Sequence, residues 1–160
     1  MDIHILFAQL AWILLIAVMI VRPANDLWGG SVWRWGMRYR QYLGIGAGVA
    51  AIIHIILFVW GKDLGFDFWL SSAWNLQTLF GWGMLALICI LPPLITSTIY
   101  AKKFFRKNWK RIQQLAYLAF LFTAIHISLV GDWGWGLGPW LIWVALWLMA
   151  NGKRHNLKNS

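Results

Sequence analysis

The chain has 160 residues, is 61% hydrophobic and only 12% charged, and contains 14 tryptophans. A soluble domain of this length is about half apolar and a quarter charged. The charges are segregated and leave five long, nearly uncharged stretches, which predicts an all-α integral membrane protein built as a five-helix transmembrane bundle. The one cysteine, Cys89, lies inside an apolar stretch, which excludes an intrachain disulfide and a thiolate metal cluster.

The first apolar run, residues 3–21, is long enough for about 28 Å of helix at 1.5 Å per residue. Its leading charge is Asp2, where a signal peptide carries basic residues, and no small-residue cleavage site follows. Arg22 and Pro23 are expected to end it. Residues 24–40, rich in Gly, Trp and Arg, read as a loop whose tryptophans suit the headgroup interface. The second span is residues 43–60, followed by a loop over 61–77 with Asp63 and Asp67. The third span covers about 79–100, and Pro92-Pro93 inside it predict a kink or a broken last turn. Residues 101–111 form a strongly basic link. The fourth span is 112–130. A Gly/Trp turn over 131–138 leads into the fifth span, about 135–150 with its start between 133 and 137, and a short polar tail ends at Ser160.

Five spans place residues 22–40, 101–111 and 151–160 on one side, with thirteen of the 14 Lys and Arg residues. The positive-inside rule then sets the N-terminus outside and the C-terminus in the cytoplasm. Asp2, Asp63, Asp67 and Asp132 fall on the outer side. The net charge of +9 therefore reports topology and contact with anionic membrane lipids, and a nucleic-acid partner is excluded.

In this orientation the second and fourth spans run parallel. His54 lies six residues before Trp60 and His126 five before Gly131, so each sits roughly 8–9 Å of helix below the outer interface. An ionisable side chain inside a membrane is a functional-site candidate. For a single histidine the ordinary reading is a hydrogen bond to a neighbouring helix. Two at one depth, in an apolar bundle with no acid beside them, suit axial ligation of a haem iron. A structural zinc wants four ligands, and these two spans offer no Cys or carboxylate at that depth.

Other features have plainer readings. His4, near the outer end of the first span, is either a third group or an interfacial histidine. His155 lies in the solvated tail. Gly44 and Gly48 read as small-residue helix packing. The hydroxyls of Thr96, Ser97 and Thr98 read as bonding back to their own helix end. Lys102, Lys103, Arg106, Lys107, Lys110 and Arg111 form either an orientation signal or a dock for a cytoplasmic flavoprotein. A haem-free scaffold anchoring a redox partner, and a small proton-coupled transporter relaying through His54 and His126, remain open. No acid lies mid-membrane to serve the transporter.

Several motifs together resemble the ferric-reductase-like transmembrane domain family. Arg40-Gln41-Tyr42-Leu43-Gly44-Ile45 followed by His54 is similar to its Arg-Arg-x-Leu-Gly-Leu helix with a haem histidine at that offset. Asp63-Leu64-Gly65-Phe66-Asp67 is similar to its outer loop, and Gly81 with Leu94-Ile95-Thr96-Ser97-Thr98 to its next helix. Asn108-Trp109-Lys110-Arg111-Ile112, Tyr117-Leu118-Ala119 and His126 are similar to its Trp-Lys-Arg-Leu-His helix. The resemblance covers residues 36–130, with Gln113 where the family has a further histidine, and five spans where six are expected, so the family's first helix is expected to be absent.

The resemblance implies a b-type haem with His54 and His126 as the cofactor-binding and metal ligands; the departure at Gln113 leaves an inner haem without ligands, so one haem b per chain is expected. It implies an electron-transfer subunit of a reductase system in a bacterial inner membrane. Electrons would come from a quinol or from the flavin of a cytoplasmic flavin reductase. They would pass to an outside acceptor, a periplasmic methionine sulfoxide reductase partner or ferric iron.

Overall fold

The computed structural model describes residues 2–71 and 74–159, so two positions of the expected 61–77 loop, and Ser160 at the end of the expected tail, lie outside the described residues. Those described form seven helices: α1 (Ile3–Trp28), α2 (Ser31–Gly61), α3 (Phe66–Ser71), α4 (Leu79–Ile95), α5 (Ile99–Phe105), α6 (Lys107–Leu129) and α7 (Trp133–Asn159). The chain is all-helical among these residues. Four helices, α1, α2, α6 and α7, are long and apolar enough to cross a membrane, and α4 with α5 makes a fifth if the pair counts as one span.

The helices outrun the apolar stretches. The expected loop over 24–40 is instead the ends of α1 and α2, broken only at Gly29 and Gly30. Hydropathy marks where lipid contact changes, and nothing between Pro23 and Gly29 breaks a helix. The two glycines, at φ +63° and +94°, take the left-handed conformations that reverse the chain. Likewise the expected polar tail continues α7 to Asn159, and the basic link is α5 and the start of α6. The 61–77 loop contains the short helix α3.

The double proline does more than kink the third span. α4 ends at Ile95, and α5 leaves it at 95°. Neither proline donates a backbone hydrogen bond, and hydroxyls serve the end of the helix. Thr96 Oγ1 donates to the Pro92 carbonyl at 2.7 Å, Ser97 Oγ to that of Pro93 at 2.6 Å, and Thr98 Oγ1 caps α5 by accepting from the Ala101 amide. The expected bonding back to the helix end holds for Thr96 and Ser97, whereas Thr98 instead caps the start of the next helix.

α1 and α2 form one tightly packed antiparallel pair, and α4, α6 and α7 pack successively as a second group. α1 also lies against α7, while α2 and α4 touch only lightly. The buried core joins Trp12, Leu15 and Met19 of α1 to Ala119, Phe120 and Ala124 of α6, with Ala47 and Ile90 from α2 and α4. Trp12 is 1% exposed and packs against Phe120 with the ring centres 5.1 Å apart, its indole donating to the Trp135 carbonyl at 3.0 Å. Small residues let backbones meet: a Cβ at Gly136 would lie 2.7 Å from the Ala124 carbonyl oxygen, and one at Gly48 2.9 Å from Leu94. Gly48 is thus a packing glycine as expected, whereas Gly44 meets only Val18, at 4.0 Å. Asp132 starts α7 by accepting from the Trp135 amide at 2.9 Å, a side-chain N-cap.

Candidate functional site

α2 and α6 do not pack against each other. Between them lies a cavity of about 560 Å³, lined also by α1 and α4, within the range typical of cofactor and small-molecule sites. His54 enters it from α2 and His126 from α6. The equal depth inferred from spacing corresponds in the fold to one shared chamber.

Both rings are held in the same way. His54 Nδ1 lies 2.8 Å from the His4 carbonyl oxygen, and His126 Nδ1 lies 2.7 Å from that of Leu79. A carbonyl only accepts, so in each ring Nδ1 carries the proton. Nε2 is then the lone-pair nitrogen of a neutral imidazole, and it has no hydrogen-bond partner among the described residues. A backbone carbonyl on the remote ring nitrogen is how metal-binding histidines are commonly oriented and made more basic. The ordinary reading of these histidines, bonded to a neighbouring helix, therefore holds at one nitrogen and leaves the other available.

The walls are largely apolar, with Phe58, Phe80, Leu87 and Ile90 among them; among the described residues no Lys or Arg lines the chamber, and the one acid is Asp132. Thr123 spends its hydroxyl on the Ala119 carbonyl at 2.8 Å. Among the described residues no three of His, Cys, Asp and Glu gather to hold a bare metal ion. The donors facing this apolar slot are imidazoles, two of them oriented by backbone carbonyls, a set whose chemistry suits a flat, apolar macrocycle.

One residue gains importance over its sequence reading, and a second was missed by it. His4 lies in the cavity with its ring 5.8 Å from that of His54, besides supplying the carbonyl above. Antiparallel packing of α1 on α2 brings the start of one beside the end of the other. Gly83 is the second: a Cβ there would stand 3.1 Å from His126 Cε1 and Nδ1, so the imidazole rests on bare α4 backbone. The close pair Gly81 and Gly83 was its sequence signal.

Gln113 lies elsewhere. Its amide nitrogen donates to the Pro93 carbonyl at 3.2 Å and to Thr96 Oγ1 at 3.1 Å. Trp109 Nε1 donates to the Thr96 carbonyl at 2.9 Å, and Gln41 Nε2 to that of Ser97. The two glutamines are engaged at the broken end of α4. The six basic residues over 102–111 are exposed on α5, on α6 and at Arg106 between them, with Lys102 Nζ 5.3 Å from the centre of the Trp109 ring. His155 is exposed near the end of α7.

The fold and the chamber define a class: a multi-pass membrane protein with an apolar cavity between two histidine-bearing helices. Residues 4–124 match the family described as ferric reductase like transmembrane component, and the chain belongs to it. This match takes in α1, which the motifs over 36–130 did not reach.

The chain is 32% identical over 124 residues to the protein-methionine-sulfoxide reductase heme-binding subunit MsrQ of Deinococcus radiodurans, an alignment covering 74% of this chain and 57% of that protein. It is 27% identical over 126 residues to the magnetosome protein MamZ of Magnetospirillum gryphiswaldense, covering 76% of this chain and 18% of that one. No solved structure matches.

Proposed function

We propose that the chain holds one haem b between His54 and His126 and passes electrons through it to an acceptor outside the membrane. The observation that carries this is the matched pair of imidazoles. They come from helices that do not touch, border one chamber, and each has Nδ1 bound to a backbone carbonyl. A haem b supplies reversible one-electron chemistry, at a potential set by its axial ligands, burial and hydrogen bonding. His54 and His126 would offer Nε2 as ligands, and the carbonyls of His4 and Leu79 would hold the rings and raise their basicity. The aromatic and aliphatic walls would pack against the macrocycle.

In this reading α1, α2, the bent pair α4–α5, α6 and α7 make five spans of a bacterial inner-membrane protein, N-terminus outside and C-terminus cytoplasmic. The donor is a quinol or the flavin of a cytoplasmic reductase; the acceptor is a periplasmic reductase or ferric iron. The likeness to a heme-binding reductase subunit supports a subunit role over that of a self-contained enzyme.

A reduced-minus-oxidised visible spectrum of the purified protein, with haem quantified per chain, tests this. The expected result is about one b-type haem per chain with a low-spin, bis-histidine spectrum. Two haems would refute the single site. No haem, even after expression with added haem, would leave a haem-free membrane anchor for a redox partner.

A further inference from the structure

About 20 Å or more along α1 and α2 from the histidines, a second, smaller cavity of about 100 Å³ lies between α1, α2 and α7. Three guanidinium groups wall it, Arg22 from α1, Arg40 from α2 and Arg154 from α7, with Asn151 beside them and Tyr117 and Trp147 on its apolar side. One carboxylate answers three cations: Asp26 Oδ2 lies 3.2 Å from Arg154 Nη2. Arg40 spends Nε on the Val18 carbonyl at 3.0 Å, which leaves its terminal nitrogens. Arg22 makes no hydrogen bond or ion pair among the described residues. Arg22 and Arg154 are exposed and Arg40 is half-buried, and like charges converging on one space repel each other. An anion in the pocket removes that cost, and guanidinium forks match phosphate oxygens.

Position identifies the anion. Arg22 directly follows the apolar run over 3–21, Arg40 stands three residues before Leu43, and Arg154 stands four residues after Ala150. The apolar parts of three helices thus stop together at the pocket, where hydrocarbon gives way to headgroups. At that level of either leaflet the anion at hand is a phospholipid phosphate. Two unanswered positive charges favour a headgroup of net negative charge over a zwitterionic one, whose own cation would meet the arginines. A water takes about 10–15 Å³ of such a cavity, so this one has room for a tetrahedral phosphate. We propose that the pocket of Arg22, Arg40 and Arg154 binds the phosphate of an anionic phospholipid.

The test is native mass spectrometry of the full chain in mild detergent, supplied with equal phosphatidylglycerol and phosphatidylcholine. One phosphatidylglycerol per chain is expected to be retained in preference to phosphatidylcholine. Retention should fall several-fold in Arg22→Gln and be partly kept in Arg22→Lys. Arg22 supports no bond in the fold, so these variants should elute as the parent does on size exclusion. Lys153 donates to the Leu27 carbonyl at 2.7 Å and does not line the pocket, so Lys153→Gln should retain the lipid. Equal loss in Lys153→Gln would replace the pocket with diffuse positive charge. Equal retention of both lipids would overturn the proposal. Stabilisation of delipidated protein by inorganic phosphate alone, with no lipid retained, would assign the pocket to free phosphate and overturn the lipid assignment.

Discussion

The backbone carbonyl of His4 holds Nδ1 of His54 at 2.8 Å, so the first helix fixes a ring on the second through main chain alone. The His4 side chain adds a ring 5.8 Å away but is not needed for that bond. His54→Ala and His126→Ala are therefore expected to abolish stable haem, each removing one ligand. His4→Ala should keep the haem content and change the absorption spectrum or midpoint potential, because the space beside His54 opens. Haem per chain by pyridine haemochrome separates the cases. Loss of haem in His4→Ala as complete as in His54→Ala would make His4 a ligand and break the assigned pair.

Gly83 provides an independent check from the other side of the chamber. A Cβ there would lie 3.1 Å from two atoms of the His126 ring, closer than ordinary van der Waals contact. Gly83→Val must push the imidazole away from α4 and from the Leu79 carbonyl, a bond of 2.7 Å. Overpacking of this kind costs about 1–3 kcal/mol. The expected outcome is lowered haem retention and a perturbed spectrum, with the helical far-UV signal kept. A parental spectrum at full occupancy would mean that His126 is not held where the function requires it.

Gly136 tests the packing rather than the site. Its missing Cβ would fall 2.7 Å from the Ala124 carbonyl oxygen and 2.8 Å from the Ser128 nitrogen, so α7 lies backbone to backbone on α6. Gly136→Val should lower the thermal midpoint of the detergent-solubilised protein, by about 1–3 kcal/mol of stability. An unchanged midpoint would show that the two helices separate there without cost.

Much of this was legible in sequence because membrane helices announce themselves by composition. His54 and His126 could be matched by counting residues from the outer ends of two spans, and straight helices preserve such counts. Less legible was anything set by which helix packs on which. His4 looked interfacial because its value depends on α1 lying antiparallel to α2. The Ala24–Arg40 stretch looked like a loop because Trp, Gly and Arg report the interface, while only Gly29 and Gly30 break the backbone. At Pro92-Pro93 the sequence marks a disturbance; it does not show the 95° departure of α5 or the side chains from α2 and α6 that bond the carbonyls of Ser97 and Pro93 there.

Orientation is open to direct measurement. Thirteen of the 14 Lys and Arg residues lie in the segments 22–40, 101–111 and 151–160. A fusion after Lys158 should report the cytoplasm with a fluorescent protein and give no alkaline phosphatase activity, and a phosphatase fusion after Lys62 should be active. Together the two results test the bent pair. If α4 and α5 do not cross as one unit, only α6 and α7 separate Lys62 from Lys158, both fusions report the same side, and the five-span reading falls.

Gln113 separates a ligand role from a structural one most sharply. Its amide reaches from α6 to the Pro93 carbonyl and to Thr96 Oγ1, tying α6 to the broken end of α4. It lies 13 residues before His126, about 20 Å along the helix, and so outside the histidine chamber. Gln113→Ala removes both bonds and leaves a part-buried carbonyl with one donor fewer, at a cost of about 1–3 kcal/mol. The expected outcome is a lower thermal midpoint with haem per chain unchanged. Loss of haem at an unchanged midpoint would reverse the assignment. It would mean that the inner half of the bundle holds a cofactor, and that His54 and His126 are not the whole ligand set.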